Sequence, residues 1–314
     1  MERKTVKAEH LAARRADSDE SFAAQAYLAM MFGAFSFATM GALSHLAGDY
    51  FSWQIVALAR TSVAFIFSLI IALASGARLV LFKPAVLWMR SLVGSIGILT
   101  AFYALTHLPI STAITLSNTF PVWVTLLAWP LLGIRPTPSV WLALIVGIIG
   151  VIIIQQPHWA GGKAAVLAAL GNALSTSISM IGLNRLRNVD SRAIVTHFSG
   201  VSTMVCLIYL PLTGASYEWG RLADRPLLLL LVGVGLAGTF GQLGMTRAFA
   251  LGHPSKVAVV GLTQIVFAAL FDLLLWKHRF DTLTMCGMVL IIAPTAWLLI
   301  HSPLRRASSI DSTA

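Results

Sequence analysis

Long apolar runs separated by short polar connections dominate the chain. The run 110–132 and the run 140–154 are joined by a short turn that contains two prolines, and similar pairs recur along the sequence. An α-helix needs about 20 residues to cross the ~30 Å hydrocarbon core of a bilayer. Hydropathy predicts ten such spans, at 26–47, 53–74, 86–106, 110–132, 140–154, 164–183, 193–212, 227–251, 255–276 and 283–300. The pattern therefore predicts an all-α membrane protein with ten transmembrane helices.

The fourth predicted span is interrupted near its middle by polar residues. Ser117, Asn118 and Thr119 stand there, and Pro121 follows two residues later. Proline removes a backbone donor and bends a helix. Polar groups at mid-membrane depth are costly unless neighbouring helices or a water-filled cavity satisfy them. We therefore expect a helix bend here that faces either a partner helix or a cavity.

The stretch 248–303 repeats the arrangement of this region. Aligning the two halves brings His107 beside His253 and places Asn118 near Gln264. Each half contains five spans, and an odd number inserts the second copy upside down relative to the first. Inverted repeats are typical of secondary transporters, whose substrate site lies near the midplane between the halves.

Composition and charge agree with a membrane protein. The 314 residues are 57% hydrophobic and 11% charged, with a mean hydropathy of +0.82, whereas soluble domains carry about 25% charged residues. The net charge of +10 could indicate nucleic-acid binding, but the basic residues lie in the tails and short connections. With both termini in the cytoplasm, sixteen Lys and Arg face inside and five face outside, with Arg60 inside a span. The positive-inside rule then predicts cytoplasmic termini in an inner membrane and no nucleic-acid partner.

The tails and cysteines suggest no further domain or metal chemistry. Residues 1–24 are polar and of mixed charge without a signal-peptide core, so they predict a disordered or weakly helical cytoplasmic tail. Residues 302–314 predict a second cytoplasmic tail. Cys206 and Cys286 lie in apolar runs, where cysteine behaves as a small hydrophobe. We expect no disulfide, no metal site and no cofactor.

Several segments resemble a known family. They read FYAL at 102–105, LPISTA at 108–113, PVWV at 121–124 and WLALIVGIIGV at 141–151, with Arg60 early in the second span. In these segments the chain resembles the EamA members of the drug/metabolite transporter superfamily. The resemblance implies two EamA units, at 25–156 and 161–301, that form two inverted five-helix repeats. It also implies an exporter or importer of amino acids, nucleosides, cofactors or drugs, often coupled to an ion gradient. The first half is most similar to the branch that includes S-adenosylmethionine-type carriers.

The chain departs from the family pattern at two places. Family members commonly carry Gly-Glu after the fourth and ninth spans, whereas this chain reads Gly-Ile-Arg at 133–135 and Lys-His-Arg at 277–279. The departure argues against a carboxylate-based role at either place.

Polar side chains within the spans are the candidate substrate ligands. The amides and hydroxyls at matching places in the two repeats are favoured, with interhelical hydrogen bonding as the alternative. Two aromatic residues and a glutamine could stack against and hydrogen-bond a planar ligand. The candidates are Asn118, Thr119, Thr263, Gln264, Ser36, Thr39, Asn172, Ser175, Tyr103, Trp123 and Gln242.

Three ionisable residues inside spans have a functional and a structural interpretation. Arg60 is interpreted as the only basic residue deep in a span. It is either a counter-charge for an anionic substrate group or a structural arginine. Asp272 is a candidate coupling group, with an ion pair to Lys277 as the alternative. His197 could relay protons, although a helix–helix hydrogen bond is favoured.

These patterns predict a secondary transporter, not an enzyme. The sequence contains no HExxH, GxxxxGK[ST] or CxxC motif. We expect alternating access that moves a small polar or amphipathic metabolite. The expected partners are that small-molecule substrate and the lipid bilayer, in a monomer or homodimer. The alternative is a membrane-embedded sensor or an intramembrane enzyme.

Overall fold

Every regular element that the structure describes is helical. The structure is a computed structural model that describes residues 2–82, 84–108, 110–156, 162–213, 218–276 and 281–300. Its helices are α1 (Glu2–Gly48), α2 (Trp53–Ala74), α3 (Ala85–His107), α4 (Ile110–Ser117), α5 (Phe120–Leu132), α6 (Pro138–Gln155), α7 (Lys163–Asn184), α8 (Ser191–Tyr209), α9 (Arg225–Leu251), α10 (Pro254–Gly261), α11 (Thr263–Trp276) and α12 (Thr282–Ile300). Two short 3-10 helices, Leu210–Thr213 and Trp219–Ala223, lie between α8 and α9.

Many of these helices are apolar enough to lie in a membrane. Within the described residues, seven helical segments are long and apolar enough to cross it, and the apolar segments Ala85–Ala101 and Thr282–Leu298 are shorter. Large apolar side chains such as Leu142, Leu167 and Leu274 are exposed on the outside of the bundle. A lipid environment accounts for such exposure, which a soluble protein rarely tolerates over a large area. The structure therefore supports a multi-pass membrane protein in which seven helices, not ten, meet the length criterion.

The N-terminal region continues into the first span as one helix. Residues 1–24 were expected to be a disordered or weakly helical tail, and α1 runs without interruption from Glu2 to Gly48. The apolar part that could span a membrane begins at Phe22. The charged residues before it therefore extend the same helix, since helix propagation adds one hydrogen bond for each residue fixed.

The fourth and ninth predicted spans are each divided into two helices. In the first half, α4 ends at Ser117 and α5 begins at Phe120, with Pro121 in its first turn. In the second half, α10 ends at Gly261 and α11 begins at Thr263. The helix therefore breaks at the place where the polar residues and the proline predicted a bend, and a matching break stands in the second half without a proline.

The two halves interlock, because helices of one half pack mainly on helices of the other. The helix α1 packs on α9 and α3 packs on α7, while α2 packs on α8 and α6 packs on α12. If each helix is replaced by its counterpart in the other half, the pair α1–α9 becomes the pair α7–α3. The pairs α2–α8 and α6–α12 remain the same. The packing is therefore that of two repeats related to each other across the middle of the bundle.

Glycines allow two of these crossings to be very close. A Cβ atom on Gly244 of α9 would lie 2.6 Å from the carbonyl oxygen of Ala29 and 3.0 Å from the Cα atom of Gly33 on α1. A Cβ atom on Gly150 of α6 would lie 2.7 Å from the carbonyl oxygen of Gly287 on α12. Small residues let membrane helices approach closely enough for backbone contact.

Candidate functional site

A small cavity lies where helices of both halves meet. Its volume is about 10 Å³, which is close to the space that one water molecule needs. The helices α2 and α3 of the first half and α8 and α9 of the second half surround it. It is lined by Arg60, Thr61, Ala64, Ile98, Phe198, Ser199, Gly238 and Gln242.

Hydrogen-bond donors dominate the polar lining of this cavity. Arg60 is half-buried, and the amide nitrogen Nε2 of Gln242 is buried without a hydrogen-bond partner among the described residues. Thr61 donates its hydroxyl proton to the carbonyl oxygen of Ala57 at 3.1 Å. A guanidinium group and a free amide N–H₂ together suit an acceptor such as a carboxylate or phosphate oxygen. Sequence reasoning proposed Arg60 and Gln242 for different reasons, and the structure brings them to one place.

Gly238 of α9 lies beside the Arg60 side chain. A Cβ atom on Gly238 would lie 3.5 Å from both the Cγ and the Nε atom of Arg60, and 3.0 Å from the sulfur of Met40. The arginine therefore lies directly against the backbone of α9. A Cβ atom at position 238 would make ordinary contact with Arg60, whereas the Met40 sulfur would have to move.

Arg90 is a buried arginine that the sequence interpretation missed. It was assigned to the cytoplasmic face, and Arg60 was taken as the only basic residue deep in a span. The Arg90 side chain is instead 0% exposed, and its guanidinium carbon lies 4.0 Å from the centre of the Phe198 ring. Its three guanidinium nitrogens have no hydrogen-bond partner among the described residues. With Arg90 removed from the cytoplasmic side, the charge ratio becomes fifteen to five, which still favours cytoplasmic termini.

The environment of Arg90 compensates little of its charge. A cation over an aromatic ring contributes about 2 kcal/mol when desolvated, whereas burying a charge costs several kcal/mol. Helices α2, α3, α7, α8 and α9 contain no Asp or Glu. The guanidinium therefore lies in the protein interior with a ring as its main compensating contact.

Polar contacts hold α3 against α7 and α8 around Arg90. The hydroxyl of Ser91 lies 2.8 Å from Nδ1 of His197, and the hydroxyl of Ser95 lies 2.9 Å from that of Ser202. Ser179 donates a hydrogen bond to the Arg90 carbonyl oxygen at 3.0 Å. His197 is thus placed in a helix–helix hydrogen bond, as the sequence interpretation favoured.

The break between α4 and α5 forms a second polar cluster. The Asn118 side chain donates to the carbonyl oxygen of Ile114 at 2.9 Å, and Thr119 donates to that of Leu116 at 2.6 Å. On α7, Ser177 donates to the carbonyl oxygen of Phe120 at 2.8 Å. The carbonyl oxygens of Ile114 and Leu116 also accept the backbone N–H groups of Asn118 and Thr119. The side chains therefore add second donors at the break, and much of their own hydrogen-bonding capacity is already used.

Asn172 and Ser175 lie beside this cluster on α7. Asn172 donates to the Ser117 hydroxyl at 3.0 Å. Both side chains face Gly97 of α3, where a Cβ atom would lie 3.4 Å from the Cβ of Ser175 and 3.5 Å from Oδ1 of Asn172. They lie at the crossing of α3 with α7, and they do not line the Arg60 cavity.

The remaining hydroxyl candidates donate to carbonyl oxygens three or four residues earlier in the chain. Ser36 donates to the carbonyl oxygen of Phe32 at 2.9 Å and Thr39 to that of Phe35 at 3.0 Å. Thr263 donates to the carbonyl oxygen of Val260 at 2.7 Å. The structure does not bring these three residues into the cavity.

Four other candidates lie apart from the cavity. Tyr103 is 37% exposed and stacks on His107 with ring centres 4.1 Å apart. Trp123 and Gln264 are half-buried on α5 and α11. Asp272 is exposed on α11, and its suggested partner, Lys277, lies outside the described residues.

His253, in the connection between α9 and α10, has a shifted pKa. Burial and, to a smaller extent, the charges of Lys256 and Arg187 together lower the pKa of His253 to about 4. Its Nδ1 atom is buried without a hydrogen-bond partner among the described residues. The imidazole is therefore neutral at pH 7, which suits its place beside two cations.

The helical repeats and the interior polar cavity are typical of a multi-pass membrane transporter. The model of the EamA-like transporter family matches residues 24–155 and again residues 163–300. The chain therefore belongs to the EamA-like transporter family, and the resemblance seen in the sequence is confirmed.

Individual relatives carry different transport functions. The chain is 27% identical over 277 residues to the pseudopaline exporter CntI of Pseudomonas aeruginosa, covering 84% of this chain and 92% of the relative. It is 25% identical over 227 residues to the S-adenosylmethionine uptake transporter of Rickettsia prowazekii, covering 72% and 75%. It is 23% identical over 219 residues to human solute carrier family 35 member G1, covering 65% and 59%. A solved crystal structure aligns over 86% of this chain and 96% of its own with a TM-score of 0.75 at 17% identity, which shows a shared fold.

Proposed function

We propose that this protein is a secondary transporter that moves a small polar or amphipathic metabolite across the inner membrane by alternating access. Ten transmembrane helices would form two inverted five-helix repeats. The observation that carries the proposal is the Arg60 cavity, because helices from both halves line it and the amide nitrogen of Gln242 there has no hydrogen-bond partner among the described residues. Transporter sites of this kind lie between repeats near the midplane.

The closed state of the cavity supports a mechanism with moving halves. A metabolite pocket usually has a volume of about 300–1,000 Å³, whereas this cavity has about 10 Å³. A metabolite can enter only if α2 and α3 separate from α8 and α9. The breaks between α4 and α5 and between α10 and α11 are places where such movement could bend the bundle.

The lining favours binding over catalysis. Arg60, Thr61, Ser199 and Gln242 offer hydrogen bonds, and no carboxylate lies among the lining residues. An intramembrane enzyme needs an acid or base beside a nucleophile. We therefore propose a transporter that is not an enzyme, with the substrate and the bilayer as its partners, without nucleic acid, and as a monomer or homodimer.

The relatives include one protein named as an exporter and one named as an uptake transporter. Their names support the transport of metabolites by members of this family. They are compatible with either export or import by this chain. We propose a substrate among amino acids, nucleoside-like or cofactor-like molecules and drug-like molecules.

Transport by the purified chain in liposomes tests the proposal. Labelled anionic, neutral and cationic metabolites would be offered with and without a proton gradient. We expect time-dependent uptake of at least one compound and its loss in Gln242→Leu, because that change removes a cavity donor. A matched control is Gln155→Leu, at the last residue of α6, which does not line the cavity. Insertion of folded protein that moves no compound would contradict the proposal.

Reporter fusions test the proposed orientation. A fusion after Ala314 and one at Arg187 should report the cytoplasm, and one at Gly162 should report the opposite side. This follows from the excess of Lys and Arg assigned to the cytoplasmic face. A non-cytoplasmic signal from the C-terminal fusion would rule out the placement of both termini in the cytoplasm. It would also rule out the inversion of the repeats.

A further inference from the structure

We propose that Arg90 is a second anion-binding position on the transport path, and that the substrate is an oxyanionic metabolite bearing a carboxylate or phosphate group. The inference rests on the proposed transport function. In it, Arg60 binds the anionic group in one state of the transporter and Arg90 binds it in the other, with the Phe198 ring between them.

The guanidinium group of Arg90 is buried without a hydrogen-bond partner among the described residues. Its side chain is fully buried, and its Nε, Nη1 and Nη2 atoms have no hydrogen-bond partner in the described part of the chain. Buried polar groups in native proteins are nearly always hydrogen-bonded, so an orphaned guanidinium calls for an explanation. A planar oxyanion is the ligand that matches the donor geometry of arginine.

The helices around the two arginines carry no acidic side chain that could neutralise them. Helices α2, α3, α7, α8 and α9 contain no Asp or Glu, and neither does the apolar part of α1 from Phe22 to Gly48. Ionisable groups inside a membrane bundle normally pair with one another or mark a substrate path. Here the chain supplies two cations and leaves the anion to the substrate.

Phe198 contacts both arginine sites. One contact of its ring is with the Arg90 guanidinium, 4.0 Å from the ring centre. Phe198 also lines the cavity that contains Arg60. Gly94 of α3 makes room for the ring, since a Cβ atom there would lie 2.9 Å from Cε2 of Phe198. A rotation of this one side chain would therefore connect the two arginine sites.

The two arginines lie at different depths in the predicted membrane spans. Arg60 lies seven residues after the start of α2 and Arg90 lies five residues after the start of α3. At ~1.5 Å per residue these are depths of ~10 Å and ~8 Å. Consecutive spans run in opposite directions, so the two depths are counted from opposite faces of the membrane. The arginines therefore lie toward opposite faces, as a passage between two states requires.

Ligand-induced thermal shifts on the full-length protein in detergent test the inference. The probes are succinate, citrate, inorganic phosphate and a phosphorylated sugar, compared with chloride at matched ionic strength and with putrescine. The variants are Arg90→Met, Arg60→Met and Arg135→Met. Arg135 is the matched control because it is an exposed arginine that also lies over an aromatic ring, 5.1 Å from the centre of Trp129.

We expect at least one oxyanion to raise the melting temperature of the wild type and of Arg135→Met. Arg60→Met and Arg90→Met should each bind that probe at least ten-fold more weakly. Without any probe, Arg90→Met should melt at a higher temperature than the wild type, because a buried charge without a partner has been removed. A structural role for Arg90 gives the opposite pattern, with a lower melting temperature and an unchanged affinity, and that result would overturn the inference.

Two further comparisons complete the test. If Arg90→Met is not recovered folded, the neutral variant Arg90→Gln replaces it, and an affinity equal to that of the wild type would refute the role of Arg90. A lipid phosphate could also occupy the site, so the shifts are repeated with added phosphatidylglycerol. Stabilisation by this lipid that depends on Arg90 and prevents probe binding would overturn the inference.

The inference and the proposed function fail in different ways. Liposome uptake of a neutral or cationic compound, with no shift from any oxyanion, would overturn the inference and leave transport intact. No uptake of any compound would contradict transport itself.

Discussion

The crossing of α1 with α9 gives a prediction whose size follows from the structure. In Gly244→Ala, the new Cβ atom would lie 2.6 Å from the backbone oxygen of Ala29, whereas ordinary contact begins near 3.4 Å. Neither atom belongs to a flexible side chain, so the helices must move apart by a large part of that difference. Overpacking of this kind typically costs about 1–3 kcal/mol.

A matched glycine separates this clash from the effect of helix propensity. Alanine is favoured over glycine in a helix by about 1 kcal/mol, and that gain applies to both substitutions. Gly171 lies inside α7 with no atom within 4 Å of its Cβ position. We therefore expect Gly171→Ala to be at least as stable as the wild type and Gly244→Ala to be less stable than Gly171→Ala by about 1–3 kcal/mol.

Thermal unfolding in detergent, followed by tryptophan fluorescence, measures the difference between the two variants. Both proteins would be prepared in the same detergent, so that the micelle affects them equally. A melting temperature of Gly244→Ala equal to or above that of Gly171→Ala would show that α1 and α9 are not in backbone contact at this point. The interlocked packing of the halves would then need revision.

Three further predictions concern single side chains. Arg60→Met should lose uptake of the compound that the wild type carries while Arg60→Lys keeps part of it, because a hydrogen bond to a charged group contributes about 1.5–3 kcal/mol; equal uptake by Arg60→Met would contradict the role. Asn118→Ala should lower the melting temperature because the Ile114 carbonyl oxygen loses one of its two donors and keeps only the backbone N–H of residue 118; a melting temperature equal to that of the wild type would contradict this role. Stability should fall as the pH decreases from 6.5 towards about 4, because burial holds the pKa of His253 down at about 4 and the unfolded chain takes up the proton first. His253→Asn should reduce this loss in melting curves recorded across that range, and an unchanged pH profile would refute it.

The sequence predicted the local features of the fold well. Apolar runs define helices because each backbone group must be satisfied within its own segment in a membrane. Duplication of the pattern gave the two family units. Asn118 and Pro121 marked the break between α4 and α5, because proline and short polar side chains act on the backbone within a few residues. Such effects are local, so one sequence is enough to recognise them.

The site depended on contacts that no local pattern contains. Arg90 lies five residues inside α3, where an arginine could equally reach the membrane surface. Its burial follows from the packing of α7 and α8 over α3, which puts Phe198 against its guanidinium. In the same way, Arg60 and Gln242 line one cavity only because α2 packs on α9. The sequence thus determined the helices, their breaks and the repeat, whereas the direction in which each polar side chain points was decided by the packing of one half against the other.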